Sequence, residues 1–183
     1  MNPHVFREYD VRGIVDQDLN ESFVLNLGRA IGTYARQHNI STMTVGHDCR
    51  LSSDAYHRYI LQGLNASGIN TIDIGLCATP MLYFSIRHFD VGGGVMVTGS
   101  HNPPEFNGFK ICIGYDSIHG QQIQALRTIM ESDAYLSGAG SHQTGDVTIA
   151  YQNYLYEHVN VSRKLKIVLD AGNGVGGRFA LPL

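Results

Sequence analysis

The stretch VMVTGSHNPPEFNGFKI, residues 95–111, ends one apolar run and begins another around a stiff polar turn. Each apolar run has the composition of a buried strand, and the second extends over residues 109–113. Between them Gly99 leaves room for a close approach to Ser100, and the two prolines after Asn102 fix the backbone. The stretch therefore predicts two strands and a rigid loop that presents Ser100 at a strand end, where α/β folds place ligand sites.

On both sides of this stretch, helical and strand patterns alternate along the chain. Apolar residues at helical spacing predict helices over residues 21–38, from Ser52 or Ser53 to 68, from Thr79, and over 121–130 and 147–159. Short apolar runs predict strands over residues 43–45, 70–76, 95–97, 109–113 and 165–169. Strands that alternate with helices at this spacing predict an α/β layered domain.

A change in composition divides the chain. The segment SGAGSHQTGD, residues 137–146, is small, polar and glycine-rich, which is typical of a linker or a long exposed loop. We therefore predict one domain over residues 1–146. Residues 147–183 are predicted to begin a second, similar domain that is truncated before it closes its own core.

Bulk composition excludes several classes of protein. With 183 residues, 43% of them hydrophobic and 16% charged, the chain fits one or two globular domains. A formal charge of −3 provides no general attraction to nucleic acid or to anionic membranes, and no apolar run approaches the ~20 residues of a membrane helix. Cys49, Cys77 and Cys112 form neither a zinc spacing nor a disulfide framework, which favours a reducing compartment. We expect a soluble, cytoplasmic protein without a nucleic-acid or membrane partner.

The residues alone leave open the role of the serine loop, the segment around Ser100 between the two apolar runs. Hydrolases with the pattern G-x-S-x-G are a poor fit, because Thr98 and Asn102 stand where that pattern has glycines. A ligand site and a rigid turn with an incidental serine remain as alternatives. Upstream, FREYDVRGI at residues 6–14 crowds charge ahead of the first helix. Its arginines either bind phosphate through paired hydrogen bonds or belong to an exposed ion-pair cluster.

Five segments, taken in order, resemble the α-D-phosphohexomutase family, in particular its bacterial phosphomannomutase/phosphoglucomutase branch: FREYDVRG, GHDCRLSS, TPMLYF, TGSHNPPEFNGFKI and DAGNGVGG. The resemblance spans nearly the whole chain. It implies an α/β fold, a three-layer αβα domain with a mixed sheet, followed by the start of a second similar domain. It also implies that Ser100 is a phosphoserine. With Mg²⁺ bound, this residue would donate its phosphoryl group to a hexose phosphate, form a hexose 1,6-bisphosphate and receive the other phosphate back.

The same resemblance implies roles for individual residues. Ser100, His101, Lys110 and Arg12 would be catalytic, and Ser100 would contact the metal through its phosphate. Tyr9, Arg12 and Lys110 would bind the substrate, with Arg12 and Lys110 as candidates for acid–base work and charge neutralisation. On the residues alone, Lys110 is an ordinary strand lysine, His101 a turn histidine and Tyr9 a packing tyrosine.

Two of the five segments contain features that also occur in other kinds of site. GHDCRLSS departs from the family pattern at His47 and Cys49, which lack further ligands at a metal-binding spacing. We interpret the retained Asp48 and Arg50 as a structural ion pair that supports the loop. GNGVGG, residues 172–177, satisfies G-x-G-x-x-G, but a dinucleotide site also needs an acidic residue ~20 positions further on. The resemblance implies instead a loop that opens the second domain without a nicotinamide or flavin.

The family's aspartate-rich metal loop and the loops of its later domains have no counterpart in these 183 residues. The remaining domains of a full-length chain would therefore be partners of this one, and we expect negligible turnover from the chain alone. Alternatives are a phosphoglucosamine mutase, a catalytically inactive truncated binding module, and a kinase-like or phosphatase-like enzyme that resembles a mutase.

Overall fold

A computed structural model describes residues 1–180, and in this part of the chain seven strands form one mixed sheet. The strands are β1 (Val11–Ile14), β2 (Thr42–His47), β3 (Asn70–Leu76), β4 (Gly93–Val97), β5 (Phe106–Ile113), β6 (Asp116–Ser117) and β7 (His142–Thr144). Their order across the sheet is β1-β5-β4-β2-β3-β7, and β6 pairs with β5 beside this path. Strands β4, β2, β3 and β7 are parallel neighbours, whereas β5 is antiparallel to both β1 and β4. The predicted mixed sheet is confirmed.

Helices cover both faces of this sheet. They are α1 (Glu21–Gln37), α2 (Ser53–Ala66), α3 (Thr79–His88), α4 (Gln121–Glu131), α5 (Thr148–His158) and α6 (Gly176–Ala180), after a short 3-10 helix at Pro3–Val5. Buried side chains of α1, α2 and α4 share one core with the strands, and those of α3 share a second core on the other face. This arrangement confirms the predicted three-layer α/β fold.

The two cores follow from side-chain alternation along the strands. In β4, Val95 and Val97 belong to the core under α1 and α2, while Met96 between them belongs to the core under α3. Successive residues of a strand point to opposite faces, so one strand contributes to both layers. On the helical side, the side chain of Asn20 accepts a hydrogen bond from the N–H of Phe23 and thereby caps α1.

The predicted linker at residues 137–146 is partly wrong, because β7 lies within it and pairs with β3. Ahead of β7, the N–H groups of Gly138 and Gly140 donate to the carbonyls of Ala66 and Asn65, both at 2.9 Å. A Cβ atom at Gly140 would lie 1.9 Å from the carbonyl oxygen of Ile69, so only glycine permits this approach. Backbone hydrogen bonds, which leave little trace in side-chain composition, hold the segment against the sheet.

The strand predicted over residues 165–169 is absent from the structure. Its apolar side chains are exposed instead, Val168 by 90%. Strand pairing requires a neighbour that accepts and donates backbone hydrogen bonds, and no strand within residues 1–180 lies beside this segment. The domain boundary at residue 147 stays a prediction. Among the described residues, no helix is both long and apolar enough to span a membrane.

A contact between a buried histidine and a partly buried carboxylate connects α2 to β3. The Nε2 atom of His57 lies 2.9 Å from Oδ1 of Asp73, although its N–H is not aligned for a hydrogen bond. The N–H of Gly75 donates to the same oxygen at 2.8 Å. Burial by itself raises the pKa of Asp73, but the contacts with His57 and Gly75 outweigh it and hold this pKa below its ordinary value.

Replacing Asp73 by asparagine is expected to lower the free energy of unfolding at neutral pH. Because the folded-state pKa of Asp73 is depressed, its contribution is present above the unfolded pKa of about 4 and is lost as the pH falls through the folded value. The difference between wild type and Asp73→Asn should therefore shrink below about pH 4. Urea unfolding between pH 3 and 7 measures it, with the exposed Asp54→Asn on α2 as control. A difference that does not change with pH would contradict this explanation.

Candidate active site

Ser100 lies in the loop after β4, with its backbone in the left-handed region. Its φ is +54°, an unusual angle for a residue other than glycine. The N–H of Ser100 donates to Oγ1 of Thr98 at 2.9 Å. Both the backbone N–H and the side-chain amide of Asn102 donate to the carbonyl of Gly99, at 3.0 and 2.7 Å. These bonds hold a strained backbone in place, and strain of this kind concentrates at functional loops.

The guanidinium of Arg50 binds the backbone of the serine loop. It donates to four backbone carbonyls, those of Ser100 at 3.1 Å, Asn102 at 2.6 Å, Pro103 at 2.8 Å and Phe106 at 2.9 Å. The sequence suggested that Gly99 leaves space for a ligand, but Arg50 occupies that space. A Cβ atom at position 99 would lie 2.5 Å from the guanidinium carbon.

Asp48 holds the arginine and the loop together. Its Oδ2 atom lies 3.5 Å from Nε of Arg50 and accepts a hydrogen bond from Oγ1 of Thr98 at 2.7 Å. Its Oδ1 atom accepts from the N–H of Arg50 at 3.0 Å and from the hydroxyl of Ser53. The interpretation of Asp48 and Arg50 as a structural ion pair is confirmed.

The predicted serine cap of α2 is wrong in detail. Ser52 occupies the N-cap position, but its side chain makes no capping hydrogen bond. The hydroxyls of Ser52 and Ser53 instead accept from the side-chain amide of Asn107, at 2.8 and 3.0 Å. These serines therefore connect α2 to β5 and, through Asp48, to the serine loop.

Arg12 and Lys110 are brought together by the pairing of β1 with β5. Arg12 lies opposite Gly108, and the N–H of Thr98 on the other side donates to the carbonyl of the same glycine at 2.9 Å. Strand β5 therefore lies between Arg12 on β1 and the start of the serine loop after β4. The carboxylate of Asp10 contacts Nη2 of Arg12 and lies 3.9 Å from Nζ of Lys110.

Asp10 is a site residue that the sequence does not mark. In the sequence it is one charge in a crowded segment, because no pattern there predicts β1. The register that would have identified it, Val11 opposite Phe109, becomes visible only when β1 and β5 are recognised as neighbours. The side chain of Asp10 is 8% exposed and that of Arg12 is 14% exposed.

Two donors of this charged group are not fully engaged by the described residues. The Nε atom of Arg12 is buried and has no hydrogen-bond partner in the part of the chain that the structure describes. The side chain of Lys110 is 27% exposed, and the 3.9 Å between its Nζ and Oδ2 of Asp10 is long for an ion pair. Buried polar groups without partners are rare, and guanidinium and ammonium groups suit phosphate oxygens. The arrangement favours binding of an oxyanion.

His101 and Tyr9 lie at the exposed side of the site. Nδ1 of His101 is 3.3 Å from Oγ of Ser100, close enough to exchange a proton with it. Tyr9 is 70% exposed, so it is not the packing tyrosine that the residues alone suggested. Its nearest aromatic neighbour is His119, with ring centroids 6.4 Å apart.

An open groove of about 600 Å³ runs beside Ser100. Its walls include Cys49 and Leu51, the start of α3 at Thr79, and the loop at Asn173. The carbonyl of Asn173 accepts a hydrogen bond from Sγ of Cys49 at 3.2 Å. The GNGVGG segment therefore forms one wall of the groove, a position that the sequence did not reveal.

Known proteins resemble this chain both in sequence and in structure. Residues 3–136 match the family model described as phosphoglucomutase/phosphomannomutase, alpha/beta/alpha domain I. A phosphoglucomutase from Neisseria gonorrhoeae is 42% identical over 178 residues, which cover 96% of this chain and 39% of that protein. A phosphomannomutase/phosphoglucomutase from Pseudomonas aeruginosa is 38% identical over 176 residues, covering 96% of this chain and 38% of that one. The chain thus spans about 39% of the length of such curated relatives.

The structural comparison agrees with the sequence comparison. The crystal structure of a phosphoglucomutase/phosphomannomutase family protein from Burkholderia thailandensis superposes with a TM-score of 0.95 at 33% identity. The superposition covers 100% of this chain and 42% of that one. It therefore includes the strands, helices and loops described above.

Proposed function

The chain belongs to the phosphoglucomutase/phosphomannomutase family, a family of isomerases of carbohydrate metabolism, and from this we propose that it carries the phosphoserine part of a phosphohexomutase. In the proposed reaction Ser100 gives a phosphoryl group to a hexose phosphate of the glucose or mannose type. The hexose 1,6-bisphosphate turns over in the site and returns its other phosphate to the serine. The net result is transfer between C1 and C6.

The observation that carries the proposal is the combination of a fixed hydroxyl and a pair of cations. Ser100 is held by the Thr98, Asp48 and Arg50 network on the loop after β4. Arg12 on β1 and Lys110 on β5 lie on strands that pair with each other, and each has a donor that the described residues do not fully engage. Phosphoryl transfer depends mainly on positioning and on neutralising charge spread over the phosphoryl oxygens. This site offers both.

The residues would act as follows. A sugar hydroxyl attacks the phosphorus of the phosphoserine while the bond from phosphorus to Oγ breaks, and the sugar proton passes to a base. Oγ leaves with an electron pair and takes up a proton, for which His101 is within reach at 3.3 Å. Arg12 and Lys110 would bind the phosphoryl oxygens or the second phosphate of the sugar, and Tyr9 would border the sugar from the exposed side.

We also propose Mg²⁺ as cofactor. When bound, it would neutralise charge on the transferred phosphoryl group. Within residues 1–180 there is no group of three or more histidine, cysteine or acidic side chains that could hold a metal ion. Asp48 is already engaged by Arg50, Ser53 and Thr98. The metal ligand that we assign to this chain is therefore the phosphate on Ser100.

Product analysis tests the proposal. A full-length relative whose matching N-terminal part is replaced by this chain is incubated with glucose 1-phosphate, a trace of glucose 1,6-bisphosphate and Mg²⁺. We expect glucose 6-phosphate as product without release of inorganic phosphate. We expect negligible turnover from the 183-residue chain alone. Release of inorganic phosphate without isomerisation would indicate a phosphatase instead.

A further inference from the structure

We propose that Asp10 is a positioning residue that acts as the counter-ion of the phosphate site while that site is empty. Its carboxylate holds Arg12 and Lys110 close together. A phosphoryl oxygen that enters the site displaces the carboxylate from their donors. The inference rests on the proposed function, because it assumes that these two cations receive phosphate.

The sheet register places the three charges on one face. Val11 pairs with Phe109 and Arg12 with Gly108, so one step back along β1 Asp10 comes opposite Lys110. Residues two apart on a strand share a face, and so do residues directly opposite each other. Asp10 is the middle member of the three charges, because it lies two residues from Arg12 on one strand and opposite Lys110 on the other. The fourth position of the group, opposite Arg12, is Gly108, which has no side chain.

The distances indicate that the carboxylate binds its two partners unequally. Asp10 makes a close contact with Nη2 of Arg12, whereas Nζ of Lys110 is 3.9 Å away and partly exposed. Arg12 is thus fixed, with its buried Nε still unpartnered in the described residues. Lys110 is only loosely held and is free to turn towards an incoming anion.

Electrostatics gives this arrangement a consequence. Two cations at close range repel each other, and a nearly buried carboxylate offsets that repulsion in an environment where charges interact strongly. The same carboxylate repels a phosphate and competes with it for the donors of Arg12 and Lys110. Asp10 should therefore weaken phosphate binding while it keeps both donors in place. A carboxylate with a purely structural role would not lower the affinity for phosphate.

The test is the affinity of the 183-residue chain for inorganic phosphate. It is measured from backbone amide NMR shifts of residues 9–13 and 108–111 at constant ionic strength. Asp10→Asn, which keeps the shape of the side chain, should bind phosphate about three- to tenfold more tightly than wild type. Glu8→Gln is the matched control: it removes the same charge two residues away, and Glu8 has no ion pair among residues 1–180. It should leave the affinity unchanged.

The outcomes separate this inference from the function on which it rests. Equal or weaker binding by Asp10→Asn, with wild type binding normally, would overturn the role of Asp10 alone. No phosphate-dependent shift at Arg12 or Lys110 in wild type would overturn both. Should Asp10→Asn fail to fold, the side-chain carboxyl resonance of Asp10 in the wild-type chain decides: a shift on phosphate saturation, absent at Glu8, supports the displacement, and no shift overturns it.

Discussion

Replacing Ser100 by glycine is expected to abolish phosphoserine formation while the chain stays folded. The hydroxyl is the proposed phosphate carrier, so no other group can take its place in the transfer. The backbone should tolerate the change, because a φ of +54° is strained for serine and easily adopted by glycine. Relief of strain and the added freedom of glycine in the unfolded chain oppose each other, so the free energy of unfolding should change by less than about 1 kcal/mol.

Intact-mass measurement after incubation with glucose 1,6-bisphosphate and Mg²⁺ reports the adduct directly. In the full-length relative that carries this chain as its N-terminal part, mutase activity should fall on the order of 10⁴-fold or more, as is usual when a nucleophile is removed. Ser132→Ala, at the end of α4, removes a hydroxyl remote from the loop and should behave as wild type. A phosphate adduct or normal activity in Ser100→Gly would refute the assignment of the serine.

Replacing Arg50 by alanine is expected to be the most destabilising change at the site. It removes the donors of four backbone carbonyls, three in the serine loop and that of Phe106 at the start of β5, and leaves the carboxylate of Asp48 without its cation. Both side chains are largely buried, at 16% and 14% exposure. Loss of one partner of a buried pair costs roughly 3 kcal/mol or more. The serine loop should lose its fixed geometry, and phosphoserine formation should fall with it.

Urea unfolding measures the cost, and Arg58→Ala is the matched control. Arg58 pairs with Asp54 on the surface of α2, where both side chains are more than half exposed, so this change should cost no more than about 0.5 kcal/mol. Arg50→Lys keeps the charge near Asp48 but lacks the forked donors, and should lie between the two. If Arg50→Ala unfolds at the same urea concentration as Arg58→Ala, the arginine does not hold the loop.

The sequence predicted the elements whose information is local. Helices α1, α4 and α5 begin and end within a residue or two of their predicted limits, because amphipathic spacing marks them within the segment itself. Helix α3 begins at the predicted Thr79, with Pro80 at its first turn. The strands nearest the centre of the sheet, β2, β3 and β4, were also recognised, since their apolar composition reflects burial on both faces.

What the sequence could not predict depends on pairing between distant segments. The short edge strands β1 and β7 are polar or mixed, and only their hydrogen bonds to β5 and β3 define them. The apolar segment at residues 165–169 shows the opposite case, in which composition without a neighbour forms no strand. The role of Asp10 and the position of Asn173 at the groove were hidden for the same reason. Neither can be identified without knowing which segments lie side by side.

The pairing of β1 with β5 also bears on how the protein is made. Val11 meets Phe109, a partner nearly one hundred positions further along the chain. On the ribosome, at roughly 5–20 residues per second, the first acidic and basic groups of the site emerge many seconds before the strand that receives them. Until then β1 is an unpaired edge, and an incomplete nascent chain is exposed to association with its neighbours. The charged group of Asp10, Arg12 and Lys110 thus cannot assemble before β5 has been synthesised.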